Sequence, residues 1–216
     1  MLKNLTNVTV TLLGAVATSA ATLPAPSMAT SLVQPPFAIV PEAPTQETET
    51  KEVVPEKPKV KRLVCKGCNH NESRTLDFLQ DRGVTDKNAL ATIMGNIRQE
   101  STFTPNICEG GARVPYHACR SGGYGLIQFT DAPRFYGLGK FAALIGGDPS
   151  TLDTQLKYMM HEGDWKMIEP HMKTPGKSIN DYMLLARKWI RWGHHGARTD
   201  YAYNYSNRLI ATEVSS

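Results

Sequence analysis

Residues 85–105 read Thr-Asp-Lys-Asn-Ala-Leu-Ala-Thr-Ile-Met-Gly-Asn-Ile-Arg-Gln-Glu-Ser-Thr-Phe-Thr-Pro. Thr85 is a suitable N-cap, and Leu90, Ile93 and Ile97 recur at helical spacing, so the stretch predicts a helix ending near Ser101. At about 100° per residue, Glu100 falls within roughly 20° of Ile93 and shares the apolar stripe. A carboxylate on that stripe loses solvation, and the last turn of a helix places it at the negative end of the macrodipole. Both effects favour the protonated form. A carboxylic acid kept neutral near pH 7 suits general-acid catalysis. The same phase also fits a buried glutamate satisfied by an arginine.

A second informative stretch follows, Gly122-Gly123-Tyr124-Gly125-Leu126-Ile127-Gln128-Phe129-Thr130. Its glycines permit positive φ and close backbone approach, while Tyr124 and Phe129 offer flat faces to sugar rings. Gln128 is placed to hydrogen-bond an amide such as an N-acetyl group. A glycine-rich turn leading into a core strand accounts for the same residues.

Taken in order, Met94-Gly95-Asn96-Ile97-Arg98-Gln99-Glu100-Ser101-Thr102-Phe103-Thr104-Pro105 and Gly123-Tyr124-Gly125-Leu126-Ile127-Gln128-Phe129 resemble the phage-tail lysozyme domain family. More distantly they resemble lytic transglycosylases, with their Glu-Ser and Gly-Leu-x-Gln motifs. Residues 73–212 keep the family order. Thr154-Gln155-Leu156-Lys157-Tyr158 and Trp189-Ile190-Arg191-Trp192-Gly193 stand in for its Gln-Leu helix and aromatic-rich segment. The resemblance implies a lysozyme-like α+β fold and cleavage of the peptidoglycan glycan between N-acetylmuramic acid and N-acetylglucosamine, with Glu100 as general acid. Tyr124, Gln128, Phe129 and Thr130 then become substrate-binding candidates. Glu109, nine residues on, is the candidate second carboxylate, or else a solvated loop residue; Thr130 and Asp131 rank behind it. Carboxyls about 6.5–9.5 Å apart favour inversion, and about 5–5.5 Å a covalent intermediate. Ala202-Tyr203-Asn204 echoes a transglycosylase element, which keeps anhydro-sugar formation as the alternative chemistry. A wall-binding module without turnover is the alternative from another class.

The rest of the chain frames this domain. Of the 14 prolines, eight precede residue 60, whereas 16 of the 17 glycines follow it. Residues 1–29 resemble an export signal: Lys3, an apolar stretch from Val8 to Ala21, and Ser27-Met28-Ala29 for cleavage. An uncleaved anchor is the alternative. Residues 30–62, rich in Pro, Glu, Thr and Lys, read as an extended spacer, leaving 63–216 as the folded unit. That unit predicts helices over 73–82, 85–101, 152–162 and 179–192, with weaker ones over 132–145 and 199–211. Ser150/Asp153 and Ser178/Asp181 are the expected capping pairs of the helices over 152–162 and 179–192. Between Pro105 and Tyr124 a small β-hairpin or loop lobe is expected, giving a mostly α, α+β domain.

Composition narrows the partners. The net charge of +4 leaves a surplus of only three on residues 63–216, too scattered for a nucleic-acid clamp but suited to an anionic wall polymer. A mean hydropathy of -0.33 argues against a polytopic membrane protein, and no stable membrane insertion is expected once a signal is cleaved. A monomer acting outside the membrane, either secreted or periplasmic and wall-associated or carried on a virion, is the expected setting. Cysteines in an exported chain point to disulfides: Cys108 with Cys119, and Cys65 with Cys68 or each with one of the loop pair. Their spacing lacks a zinc-ribbon pattern, and no metal or cofactor is expected. His194-His195 reads as a solvated helix end or a substrate contact. Trp165, Trp189 and Trp192 read as core before sugar platform.

Overall fold

In the computed structural model, which describes residues 59–120 and 122–215, helix α2 (Lys87–Ser101) runs through the middle of the domain. The sequence stripe understates its burial. Every residue from Ala89 to Ile97 is buried, so for most of its length the helix meets protein on all sides. Asp86, not Thr85, is the N-cap: its Oδ1 accepts from the amides of Asn88 and Ala89. Gly95 is required by close packing, because a Cβ there would lie 2.6 Å from the amide nitrogen of Ala202 on helix α7 (Arg198–Arg208).

Five further helices surround this axis: α1 (His70–Asp81), α3 (Ala132–Leu144), α4 (Leu152–His161), α5 (Gly163–Lys173) and α6 (Ile179–Ile190). The Ser178–Asp181 capping box forms on α6 as expected. The Ser150–Asp153 pair does not cap α4. Thr151 takes the N-cap without a side-chain bond, and Ser150 Oγ instead accepts from the amide of Tyr116. Helix α1 starts three residues earlier than expected, at an Asn69–Glu72 capping box. Helix α5 was not among the expected helices; burial of Trp165, Ile168 and Met172 on one face holds it in place. Trp165 and Trp189 meet edge to face at 4.9 Å in the core.

The β structure also lies elsewhere than expected. Strand β1 (Lys59–Cys65) pairs antiparallel with β2 (Leu209–Ser215), in register Lys59↔Ser215 through Cys65↔Leu209. β1 therefore begins four residues inside the anticipated spacer. Among its described residues the 105–124 lobe has only isolated bridges, Ile107↔Arg113 and Cys108↔Tyr124, and one 3-10 turn at Tyr116–Ala118. Disulfides join Cys65 to Cys68 and Cys108 to Cys119, so the four thiols leave no thiolate for a metal. The domain is thus mostly helical α+β. Among the described residues, no helix is long and apolar enough to cross a membrane. The signal-like segment, and the spacer up to residue 58, lie outside the described residues.

Candidate active site

The two motif segments are stitched together by side chains whose type the geometry dictates. Ser101, beside Glu100, donates its hydroxyl to the carbonyl of Leu126 at 2.8 Å. Gln155 of α4 accepts from the amide of Leu126 and donates to the carbonyls of Pro105 and Pro149. Gly125 sits against that amide: a Cβ would come within 2.3 Å of Gln155 Oε1. The Gln-Leu helix of the sequence resemblance is therefore the staple that holds the glycine-rich turn against the end of α2.

Beside that junction lies a cleft of about 610 Å³. Its apolar surface comes from Ile127 and Ile190, and α2 contributes Gln99 and Glu100. Gln128, Thr130, Asp131 and Arg134 border it on one side, with Arg191, Trp192, His194 and Arg198 on the other. A shallower depression shares Thr130 and runs toward Phe135 and Tyr136, whose ring is exposed.

Glu100 is half-enclosed, its side chain 13% exposed. Burial pushes its carboxyl above the ordinary value, and this outweighs the opposing pull of the Arg198 hydrogen bond and the charges of Arg198 and Arg134. Arg198, nearly buried, gives Nη2 to Glu100 Oε1. Its Nη1 donates to the carbonyls of His194 and His195 at 2.7 and 2.6 Å, and its guanidinium lies 4.9 Å from the Trp192 ring centroid. Arg134 is held from behind the cleft wall, with Nε and Nη2 bonded to Glu162 at 2.6 and 2.8 Å. Asp131 caps α3 through Oδ1 and pairs through Oδ2 with Arg191 at 2.8 Å.

Backbone conformation marks the same place. Among the described residues four non-glycines have positive φ: Thr102 at 49°, Phe103 at 60°, Gln128 at 49° and Arg191 at 58°. Gln128 and Arg191 line the cleft, and Thr102 and Phe103 follow directly on Glu100-Ser101. Left-handed backbone at such residues costs about 1–3 kcal/mol each, and such residues cluster at functional sites.

Several expectations need correcting. Tyr124 and Phe129 are fully buried, so neither presents a ring to a sugar. The tight turn at Gly125 and the left-handed Gln128 fold both side chains inward; Tyr124 gives its hydroxyl to Val114 and packs on Tyr116 and Phe135. Trp192, read as core, is the aromatic residue that lines the cleft. Glu109 does not line it: its carboxylate accepts from the amide of Gly123 at 2.9 Å, a loop-fixing role. Asp131, ranked lower, is the second carboxylate there. Gln128 and Thr130 do line the cleft, and so does His194, whereas His195 bonds Thr199. Tyr203 and Asn204 are exposed on α7 and do not line the cleft. Arg198, Arg134 and Gln99 were missed, and no local pattern marks them.

A buried carboxyl at a helix end, facing a polar cleft in a mostly helical α+β domain, is a lysozyme-like arrangement. The phage tail lysozyme family matches residues 70–208, and the chain belongs to that family. Over 98 residues it is 33% identical to "Morphogenesis protein 1" of Bacillus phage B103. That alignment covers 44% of this chain and 24% of the phage protein, so the chain matches about a quarter of that relative's length.

Proposed function

We propose that the domain hydrolyses the β-1,4 bond between N-acetylmuramic acid and N-acetylglucosamine in peptidoglycan, with Glu100 as general acid. The observation that carries this reading is the Glu100 carboxyl, raised by burial, on the wall of a cleft large enough for sugar rings. Its proton passes to the bridging oxygen as the bond from that oxygen to the anomeric carbon breaks, and positive charge develops on the sugar that keeps the anomeric carbon. The ring of Trp192 and the amide of Gln128 are the contacts assigned to sugar face and N-acetyl group, with Thr130 at the groove's continuation toward Tyr136. Asp131 is the carboxylate assigned to the water that completes hydrolysis. The domain acts as a monomer on the bacterial wall. Family membership and the phage relative support a phage-associated setting.

Replacing Glu100 with Gln tests this directly. Loss of an acid of this kind costs about 10²–10⁴-fold in rate. Clearing of purified cell walls should fall by that factor while binding to insoluble wall persists; undiminished clearing overturns the assignment. Wild-type protein that binds wall without ever clearing it would be a binding module instead. Mass spectrometry of the products should show reducing ends, and anhydro ends would turn the reading to transglycosylation. No observation favours the latter, since Tyr203 and Asn204 lie off the cleft.

A further inference from the structure

Glu100 and Arg198 are each placed against their own helix. Glu100 lies in the last turn of α2, where the macrodipole disfavours an anion, and Arg198 opens α7, where it disfavours a cation. Exchanging the two charges would suit both helices better, so helix stability does not explain them. The guanidinium is also aimed. Nη1 is fixed by two carbonyls of the 194–195 segment, which leaves Nη2 pointing at Glu100, while Nε is buried with no partner. Gln99 pins the same segment by accepting from the amide of Ala197 at 2.8 Å. Of two adjacent residues of α2, Gln99 thus holds the loop that orients Arg198 and Glu100 receives its guanidinium.

When an acid in this cleft gives up its proton, its O–H bond breaks and a new one forms on the glycosidic oxygen, which takes the electron pair of the cleaved bond. A carboxylate remains on the cleft wall with only 13% of its side chain exposed to solvent. Such an anion is poorly solvated, and an oriented guanidinium stabilises it more than the neutral acid. We propose, resting on the assignment of Glu100 as the acid, that Arg198 is a positioning residue that holds the conjugate base of Glu100 and so sets how readily the proton leaves. Burial alone would give an acid that is always protonated but a weak donor; Arg198 restores its strength. Once the proton has left, the carboxylate also offsets the charge of Arg198 beside a sugar that has become cationic.

The experiment compares wild type, Arg198→Met and Arg198→Lys by two readouts: the pH–rate profile of wall clearing, and NMR titration of the Glu100 carboxyl in ¹³C-glutamate protein, assigned against Glu100→Gln. The other charged and titratable groups facing the cleft are the same residues in all three proteins: Arg134 and Asp131 from α3 and its cap, and Arg191 and His194 after α6. In Arg198→Met the titration midpoint and the alkaline limb should both move to higher pH, with several-fold lower maximal rate and little change in KM. Arg198→Lys should fall between, since an ammonium cannot span the carbonyls and the carboxylate together. A midpoint unmoved in folded Arg198→Met overturns the proposal. If that variant does not fold, an unmoved midpoint in Arg198→Lys does so. Because the titration needs no turnover, failure of the proposed activity and failure of this role are read separately.

Discussion

Of the arginine–carboxylate pairs at the cleft, two use the same groups in different ways. Arg134 and Glu162 are both almost fully buried; the acid sits behind the wall, and both of its oxygens are satisfied by the one guanidinium. In the other pair the acid itself lines the cleft, one of its oxygens meets Arg198, and burial keeps its proton affinity high. The first pair is closed and the second keeps an edge open to a ligand. A closed pair fixes geometry, whereas an open one leaves a proton to be moved.

The largest expected effect follows from that contrast. Arg134→Met strands a charged Glu162 in the interior, and breaking such a pair costs about 3–5 kcal/mol. Arg198→Met should cost clearly less, because Glu100 can take up a proton. Urea denaturation of both variants checks the ranking. Equal losses would break the distinction between the pairs, and recovery in Arg134→Met/Glu162→Met would sharpen it.

Next in size is the loop that precedes the glycine-rich turn. The Cys108–Cys119 bridge spans 11 residues, and such closures are worth about 2–4 kcal/mol in the entropic account. The Cys108→Ser/Cys119→Ser variant should lose that much by denaturation. Clearing by the molecules that remain folded should be less affected, since neither cysteine lines the cleft.

A smaller effect separates the two aromatic readings. Tyr124→Phe removes a hydroxyl bonded to Val114, worth about 1 kcal/mol, and should leave wall clearing unchanged. Trp192→Leu should raise KM several-fold. Reversal of these outcomes would restore the buried rings as the sugar platform.

These residues also show what the chain's local pattern can reveal. Glu100 was legible because a carboxylate on an apolar stripe is an anomaly within one helix, and an arginine entered only in the alternative reading, a buried glutamate satisfied by one. Which arginine was not legible: Arg198 lies 98 residues away and meets Glu100 only through the packing of α2 against α7. The inward turn of Tyr124 and Phe129 depends on a left-handed Gln128, which no side-chain pattern announces. β1 escaped because its partner lies at the far end of the domain, and its Lys59-Val60-Lys61-Arg62 start continues the spacer's composition. The Gly123-Tyr124-Gly125 spacing, by contrast, was a sound guide: Gly123 is wedged against Gln128 and Thr130, and Gly125 against Gln155.

The smallest effect tests the open pair by stability alone. A carboxyl with raised proton affinity in the folded state holds more protons folded than unfolded between its two midpoints. Stability is therefore fully present below the unfolded midpoint and is lost as pH rises through the folded one. Burial sets that direction at Glu100, against the pull of Arg198 and Arg134. Glutamine does not ionise and escapes the loss, so Glu100→Gln should melt above wild type at neutral pH. The advantage should shrink in acid, below the ordinary value of 4.5, where the wild-type side chain is protonated in both states. Calorimetry at the two pH values checks this. A lower melting point for the variant at neutral pH would mean that Arg198 outweighs burial, making Glu100 a closed pair like Glu162 and removing the distinction from which its acid role was argued.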